Sequence, residues 1–279
     1  MESIKLVFGD DYAPRAFSLD GDEDLYAETA EALRGYAPEY TLAAHAVAGV
    51  SRPAREAALT LKTHGPKGEA RLRALMAAAA RQLDTVPAVI DIDGWRQRVQ
   101  IPRVTARTIT PGMCEAELTI ALLDGYWICP CQPTLVSLVE SGDTDLDHPY
   151  DHPHDYKQAS TAISVGWEAD SVDADTMLLG LRFFGPAQNP SLRIGGNLYE
   201  VRTSIPAGGH VHVNPIDRTV TLVTVAGSTT NVFSAATRGT GLDGGSYIFQ
   251  PLAPARYEIH NPDKLTVSIN PYYRRNHLW

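Results

Sequence analysis

The residues best typed and spaced for chemistry in this 279-residue chain crowd into one stretch, Asp143 to Tyr156, which reads DTDLDHPYDHPHDY. His148, His152 and His154, with Asp151 and Asp155, offer imidazole and carboxylate ligands of the kind that suit divalent first-row metals. A metallohydrolase built on H-x-H-x-D-H would need Asp at 156 and His at 157. The chain has Tyr156 and Lys157 there. Pro149 and Pro153 suit an extended, solvated acidic linker, so no metal ligand is assigned. Ser228 and Ser234 lack the G-x-S-x-G setting of a nucleophile elbow. The glycines of GTGLDGGS, 239–246, lack the lysine and following helix of a phosphate loop and read as a mobile loop between strands. No carboxylate pair is singled out for glycoside hydrolysis, because such pairs are set by three-dimensional separation. Cys129-Pro-Cys131 is too tight for a C-x-x-C site, and with Cys114 the count is odd, so free thiols are expected. No catalytic residue, cofactor-binding residue or cofactor is expected.

A second constellation is His210, His212 and Asn214 in HVHVNP. HVNP resembles the start of the galectin sugar-binding signature H-x-N-P-R. Ile216 stands where that signature has arginine, and no tryptophan lies between Trp167 and Trp279 to stack on a sugar face. The two histidines are read as the wet face of a strand, opposite Val211 and Val213, ahead of an Asn-Pro turn. Arg274 and Arg275 read as a solvated end or as an anchor to an acidic neighbour.

The elements around these residues are mostly strands. LYAETAEALRGY has a weak helical pattern, YTLAAHAV is strand-like, and REAALTLKTHG places Ala57, Leu59 and Leu61 on one face. PKGEARLRALMAAAARQL predicts a helix, with Leu72, Leu75, Met76, Ala79 and Leu83 in one apolar stripe. Pro66 sits at its start and Pro87 past its end. Asp93-Gly94 predicts a tight hairpin turn, and RVTARTI a further strand. Ala116, Leu118, Ile120 and Leu122 alternate with Glu115, Glu117 and Thr119, a strand with one wet face. Residues 128–160 read as a prolyl and acidic connection. Beyond it, TAISVGW puts Ile163, Val165 and Trp167 on one face, and TMLLGLRFFG is apolar on both faces and central. SLRIGGNLYEVRTSI is a hairpin turning at Gly195-Gly196. Leu265, Val267 and Ile269 alternate in the last strand. The fold class is mainly β: an N-terminal β-sandwich with one packed helix over 1–127, a linker over 128–160, and a jelly-roll β-sandwich over 161–279.

Residues 1–127 carry 14 basic and 18 acidic side chains and the remainder 10 and 15, a formal net charge of −9 overall. Both halves are acidic, and neither has the basic patch that phosphate backbones require, so nucleic acid is not expected as a partner. No apolar run approaches the roughly 20 residues of a membrane helix. MESIKLVFGDDY lacks the basic and apolar regions of a signal peptide. Synthesis as a soluble cytoplasmic chain is expected.

In the order GPAQNPSLRIGG, VHVNPIDRTVTLV, FQPLAPARYEI and an aromatic-basic final strand, the C-terminal run resembles the distal tail protein family of long-tailed, non-contractile bacteriophages. The strand from Ala54 to Gly65, the amphipathic helix and AELTIALLDGYW fit the same family. The chain departs at Ala255-Arg256-Tyr257, where the family favours Gly-x-Asn. The resemblance implies a tail-tube-like N-terminal domain assembling as a homo-hexameric ring, and a galectin-like C-terminal domain facing outward. It implies a structural role without enzymatic activity, at the virion tail tip. The implied partners are further copies of the chain, the tail tube protein, and tail-tip and receptor-binding components. Two other readings stay open: a carbohydrate-binding module that takes host cell-wall saccharide, and a metal-dependent hydrolase around His148, His152 and His154.

Overall fold

In the computed structural model the described residues are 3–9, 14–35, 38–110, 112–136, 162–166, 174–239, 245–261 and 265–278. They form two compact units, residues 1–129 with 274–279, and residues 130–273.

The first unit is an antiparallel β-sandwich whose two sheets share one long strand. Its elements in order are β1 (Ile4–Phe8), β2 (Arg15–Ser18), β3 (Leu25–Thr29), a one-turn helix α1 (Glu31–Arg34), β4 (Glu39–Leu42), β5 (Val47–Ser51), β6 (Arg55–Thr63), α2 (Gly65–Gln82), β7 (Ala88–Ile92), β8 (Trp95–Thr110), β9 (Met113–Leu122) and β10 (Trp127–Pro130). One sheet runs β2-β1-β7-β8 and the other β8-β9-β6-β3. Register shifts between Gln100 and Arg103 let β8 serve both. Alternation decides which faces meet. Ala57, Leu59 and Leu61 of β6 and Ala116, Leu118, Ile120 and Leu122 of β9 are all buried. Each fully buried leucine or isoleucine contributes roughly 1.5–3 kcal/mol. The β7–β8 turn is as predicted from Asp93-Gly94, with both residues at positive φ, 51° and 86°.

The helix α2 packs against strands of both sheets through Leu72, Leu75, Ala78 and Ala79. Its stripe ends differently from the sequence expectation. Leu83 caps the helix and is exposed, whereas Gln82 is buried and its Nε2 donates to the Val99 carbonyl at 2.6 Å. Three further expectations are corrected. Residues 25–29 form a strand and not a helix, because pairing Leu25 with Thr63 and Ala27 with Leu61 buries Leu25 in the sandwich. Tertiary pairing overrides a weak helical propensity here. The start of the expected connection holds strand β10 and a second strand, β11 (Thr134–Val136). Arg274 and Arg275 are half-buried, their guanidinium carbons 4.9 Å from the Tyr126 ring centre and 4.1 Å from that of Trp95. Cation–π attraction holds them rather than solvent.

The second unit is a sandwich of two antiparallel sheets. After β11 come β12 (Ala162–Gly166), β13 (Thr176–Phe184), β14 (Ala187–Gln188), β15 (Ser191–Ile194), β16 (Asn197–Glu200), β17 (Ser204–Ile205), β18 (His210–Asn214), β19 (Thr219–Val223), β20 (Thr229–Asn231), β21 (Arg256–His260) and β22 (Val267–Arg275). One layer runs β22-β13-β18-β19-β20, with β11 also on β22. The other runs β12-β21-β15-β16. Leu181, Phe183, Val211, Val213, Val220, Val267 and Ile269 from the first layer are buried, as are Leu192, Ile194, Tyr199 and Ile259 from the second. The expected central strand, β13, is buried on both faces from Met177 to Leu181. Gly195 and Gly196 form the β15–β16 turn at positive φ.

Buried Asn197 fastens the chain end to end. Its Nδ2 donates to the Tyr247 carbonyl at 3.0 Å and its Oδ1 accepts from the Tyr247 N–H at 3.0 Å. Asn197→Ala leaves the Tyr247 N–H without this acceptor, while the Tyr247 carbonyl keeps the Gln250 N–H at 3.0 Å, and is expected to cost about 1–3 kcal/mol in denaturant titration of the folded chain, the cost of one unsatisfied buried group.

Candidate functional site

The first unit carries a feature that sandwich packing does not explain. Strands β4 and β5 form a separate two-stranded sheet in which every residue is exposed. Its register sets Tyr40 against Val50, Thr41 against Gly49 and Leu42 against Val47, with a bulge between Thr41 and Leu42. Directly paired residues share a face. Tyr40, Leu42, Val47 and Val50 therefore gather on one side, while Glu39, Thr41, Gly49 and Ser51 take the other. The bulge brings Val47 round, since Val47 and Val50 are three residues apart and would otherwise face oppositely. This apolar face lies open: Tyr40 is 60%, Leu42 69%, Val47 54% and Val50 49% exposed. A lone two-stranded hairpin is marginal in water. A contiguous exposed apolar face marks a surface that another molecule covers.

The hairpin's root is held firmly. Arg55, the first residue of β6, donates from Nη1 to the Ala32 carbonyl at 2.9 Å. Its Nη2 reaches the Leu33 and Gly35 carbonyls at 3.2 and 3.0 Å. One guanidinium thus clasps the C-terminal carbonyls of α1, where the chain leaves for the hairpin, to the point where it returns. On the other side of the root Gly125, at φ +63°, packs so that an added Cβ would lie 2.3 Å from the Arg52 carbonyl oxygen. A rigid root beneath an exposed apolar face is the arrangement of a docking arm.

The second surface with chemical potential is the outer face of β13, β18 and β19. Register aligns Arg182, His212, Thr221 and Asn231 in one row and Phe184, His210, Val223 and Thr229 in the next. His210 and His212 are half-buried, with Val211 and Val213 opposite them in the core, as predicted. Asn214 makes the predicted turn. Its Oδ1 accepts the N–H groups of Ile216 at 2.9 Å and Asp217 at 3.2 Å, and its Nδ2 donates to Asp217 at 3.0 Å. The Asn214 Oδ1 is thus taken up by the turn.

Burial, then the Arg182 guanidinium, then His210 hold the His212 imidazole below its ordinary pKa of 6.5, and burial and Arg182 do the same to His210. The unfolded chain therefore takes up these protons first as pH falls. Their stabilising contribution is complete above pH 6.5 and is lost progressively as pH drops through 6.5 towards the folded values. Thermal unfolding is expected to shift down between about pH 7.5 and about pH 5.5, and to shift less in His212→Gln.

The remaining sequence candidates stay apart. His148, Asp151, His152, His154 and Asp155 lie outside the described residues. Among the described residues no cluster of three or more His, Cys, Asp and Glu side chains could hold a metal. Ser234 is exposed in a short 3-10 turn, and the Ser228 hydroxyl bonds that of Thr224 at 2.7 Å. Ser246 Oγ, at the end of the glycine-rich segment, accepts the Leu198 N–H at 3.0 Å. None of the three cysteines is in a disulfide, and burial pushes the Cys129 thiol up, away from a reactive thiolate. A shallow cleft beside α2 is lined by Asp22, Glu23, Asp24, Lys67, Ala70 and Arg71, and the ion pair of Glu23 with Arg71 neutralises charge within it. None of these groups sets a nucleophile beside a base. The sequence expectation of one strand through YTLAAHAV is corrected: the chain turns at 43–46, where the Ala43 N–H donates to the Ala46 carbonyl, and splits into β4 and β5. The signal was there in the alternation of Tyr40 with Leu42 and in Val47 and Val50 after AAHA, two apolar runs with no helix or third strand to cover them.

No family model matches the chain, and no curated protein does. Solved structures match along its whole length. A chain of the phage p2 baseplate in its activated conformation with Sr is 9% identical, with both chains covered over 100% and a TM-score of 0.59. A chain of the phage P2 baseplate in its activated conformation with Ca is 10% identical, with 100% of both chains covered and a TM-score of 0.59. The SPP1 Dit protein, described as a paradigm of the hub adsorption apparatus in phages infecting Gram-positive hosts, is 12% identical over 99% of both chains with a TM-score of 0.56. At such identities the likeness is one of fold, and it embraces both units.

Proposed function

We propose that this protein is a structural subunit of a phage tail tip: a distal tail hub of the siphophage kind. Copies of the first unit close head to tail into a ring, six to a turn, that joins the tail tube to the tail-tip and host-adhesion components. The second unit is the galectin-like outer domain of that ring. The observation that carries this reading is the amphipathic hairpin β4–β5, anchored by Arg55 at its root and with its apolar face open to receive a neighbour. A face of this kind suits an assembling protein, and the full-length fold likeness to phage baseplate and Dit chains supports assembly at a phage tail tip. The saccharide-binding alternative gains little, because the Asn214 Oδ1 is taken up by its turn and Ile216 replaces the signature arginine. Native mass spectrometry tests the proposal. Six subunits of 30.3 kDa give a species of about 182 kDa, and a 30.3 kDa species alone at every concentration would end it.

A further inference from the structure

A closed head-to-tail ring needs two different surfaces on each subunit, one that gives and one that receives. We infer that the receiving surface for the hairpin is the shoulder formed by Leu83 and Val86 at the C-terminal end of α2 on the next copy. This rests on the ring reading above and specifies its second face. Outside the hairpin, the large apolar side chains exposed among the described residues of the first unit are Tyr26, Leu83, Val86 and Met113. Two of them lie at the wrong end. Tyr26 opposes Lys62 near the end of β6, and Met113 begins β9, whose Glu115 also opposes Lys62. Leu83 and Val86 lie at the other end. Gln82 donates to the Val99 carbonyl at 2.6 Å, Val99 opposes Leu122, and Leu122 opposes Arg55, where the chain comes back from the hairpin. The hairpin root and the shoulder therefore share one level of the sandwich.

Distance turns this into a choice. The nine residues of β6 separate its two ends by roughly 26 Å at about 3.3 Å per step. Strands β4 and β5, of four and five residues, project by about 15 Å. Cyclic symmetry carries no rise, so side-by-side subunits stay level. The proposal sets the ring axis along β6, and an arm of about 15 Å then reaches a level neighbour's shoulder but falls short of its Tyr26 and Met113 end. Leu83 and Val86 also follow the last helical turn, where the backbone is fixed by the Thr85 N–H donating to the Gln82 carbonyl at 3.0 Å. The acceptor is preformed, with little order left to impose on docking.

The test uses the full chain. Val86→Arg places a charge in the proposed contact while altering an exposed side chain, and is expected to raise the protein concentration at which rings dissociate at least 100-fold in sedimentation velocity. Val86→Ala is expected to raise it about tenfold, and Met113→Arg not at all. Combining Val86→Arg with Val50→Glu is expected to restore rings in part. If wild-type rings form and Val86→Arg leaves them intact, the assignment of the shoulder is overturned while the ring stands. Loss of rings with Met113→Arg but not Val86→Arg would move the acceptor to the other end. A wild-type chain that never assembles removes the ring reading itself.

Discussion

Replacing Leu42 and Val50 together with aspartate is expected to turn the assembled protein into folded monomers. Both side chains sit on the apolar face of the hairpin and are half-exposed or more in the isolated subunit. In the subunit they contribute little, and surface substitutions of this kind usually move stability by less than about 0.5 kcal/mol. In the proposed ring they are buried against the neighbour, where each is worth roughly 1.5–3 kcal/mol of apolar transfer. An aspartate in their place adds the cost of desolvating a charge. The loss recurs at every contact around the ring, so assembly should fail completely at micromolar concentration. The expected signature is a chain that still unfolds cooperatively, with a midpoint lowered to that of the isolated subunit and no longer dependent on protein concentration, and a sedimentation coefficient that falls to the single-subunit value. Persistence of the ring in the double variant would show that the hairpin is not the docking arm.

Gly68→Ala is expected to be strongly destabilising to the first unit. A Cβ at Gly68 would lie 2.1 Å from the Asp24 carbonyl oxygen and 3.0 Å from its carbonyl carbon, both backbone atoms that no rotamer change can clear. Helix α2 must therefore lift off the segment before β3, opening the layer that Leu72 and Leu75 fill. Overpacking typically costs 1–3 kcal/mol, and a fixed backbone neighbour places this case at about 3 kcal/mol. The midpoint should fall by about 10 °C for a unit of this size. Gly49→Ala makes the control, because a Cβ there meets nothing within 4 Å. Similar losses in both variants would mean that α2 does not sit against Asp24 as described.

The parts of this fold legible in the sequence are those where one physical rule acts alone. Period-two alternation located β6, β9 and β22, and the positive-φ demand of Asp93-Gly94 located the β7–β8 turn. Helix α2 declared itself by its stripe, but its last turn did not: the chain buries Gln82 and exposes Leu83, because the helix ends at Gln82. Leu25–Thr29 misled for a different reason. Its helical pattern is weak and its pairing partner, Arg55–Thr63, lies some thirty residues on, beyond any local signal. Arg274 and Arg275 read as a solvated end because nothing nearby in sequence names Tyr126 or Trp95 as their ring partners. The site was half legible. Alternation marks Tyr40 and Leu42 as a strand face, yet only exposure in the folded chain shows that nothing within the described unit covers it. An interface between copies leaves this trace in a single chain: apolar patterning in a place where the core does not reach.

These elements give each part of the molecule a distinct task. In the first unit Arg55 ties the root of the hairpin to the end of α1, and the hairpin's apolar face lies exposed. The second unit presents a polar sheet face without a catalytic pair among its described residues. Images of the purified wild-type protein in negative stain test this account most directly. It predicts closed rings with an open centre and six-fold symmetry. Uniformly single particles of one subunit's size, at concentrations well above micromolar, would contradict it.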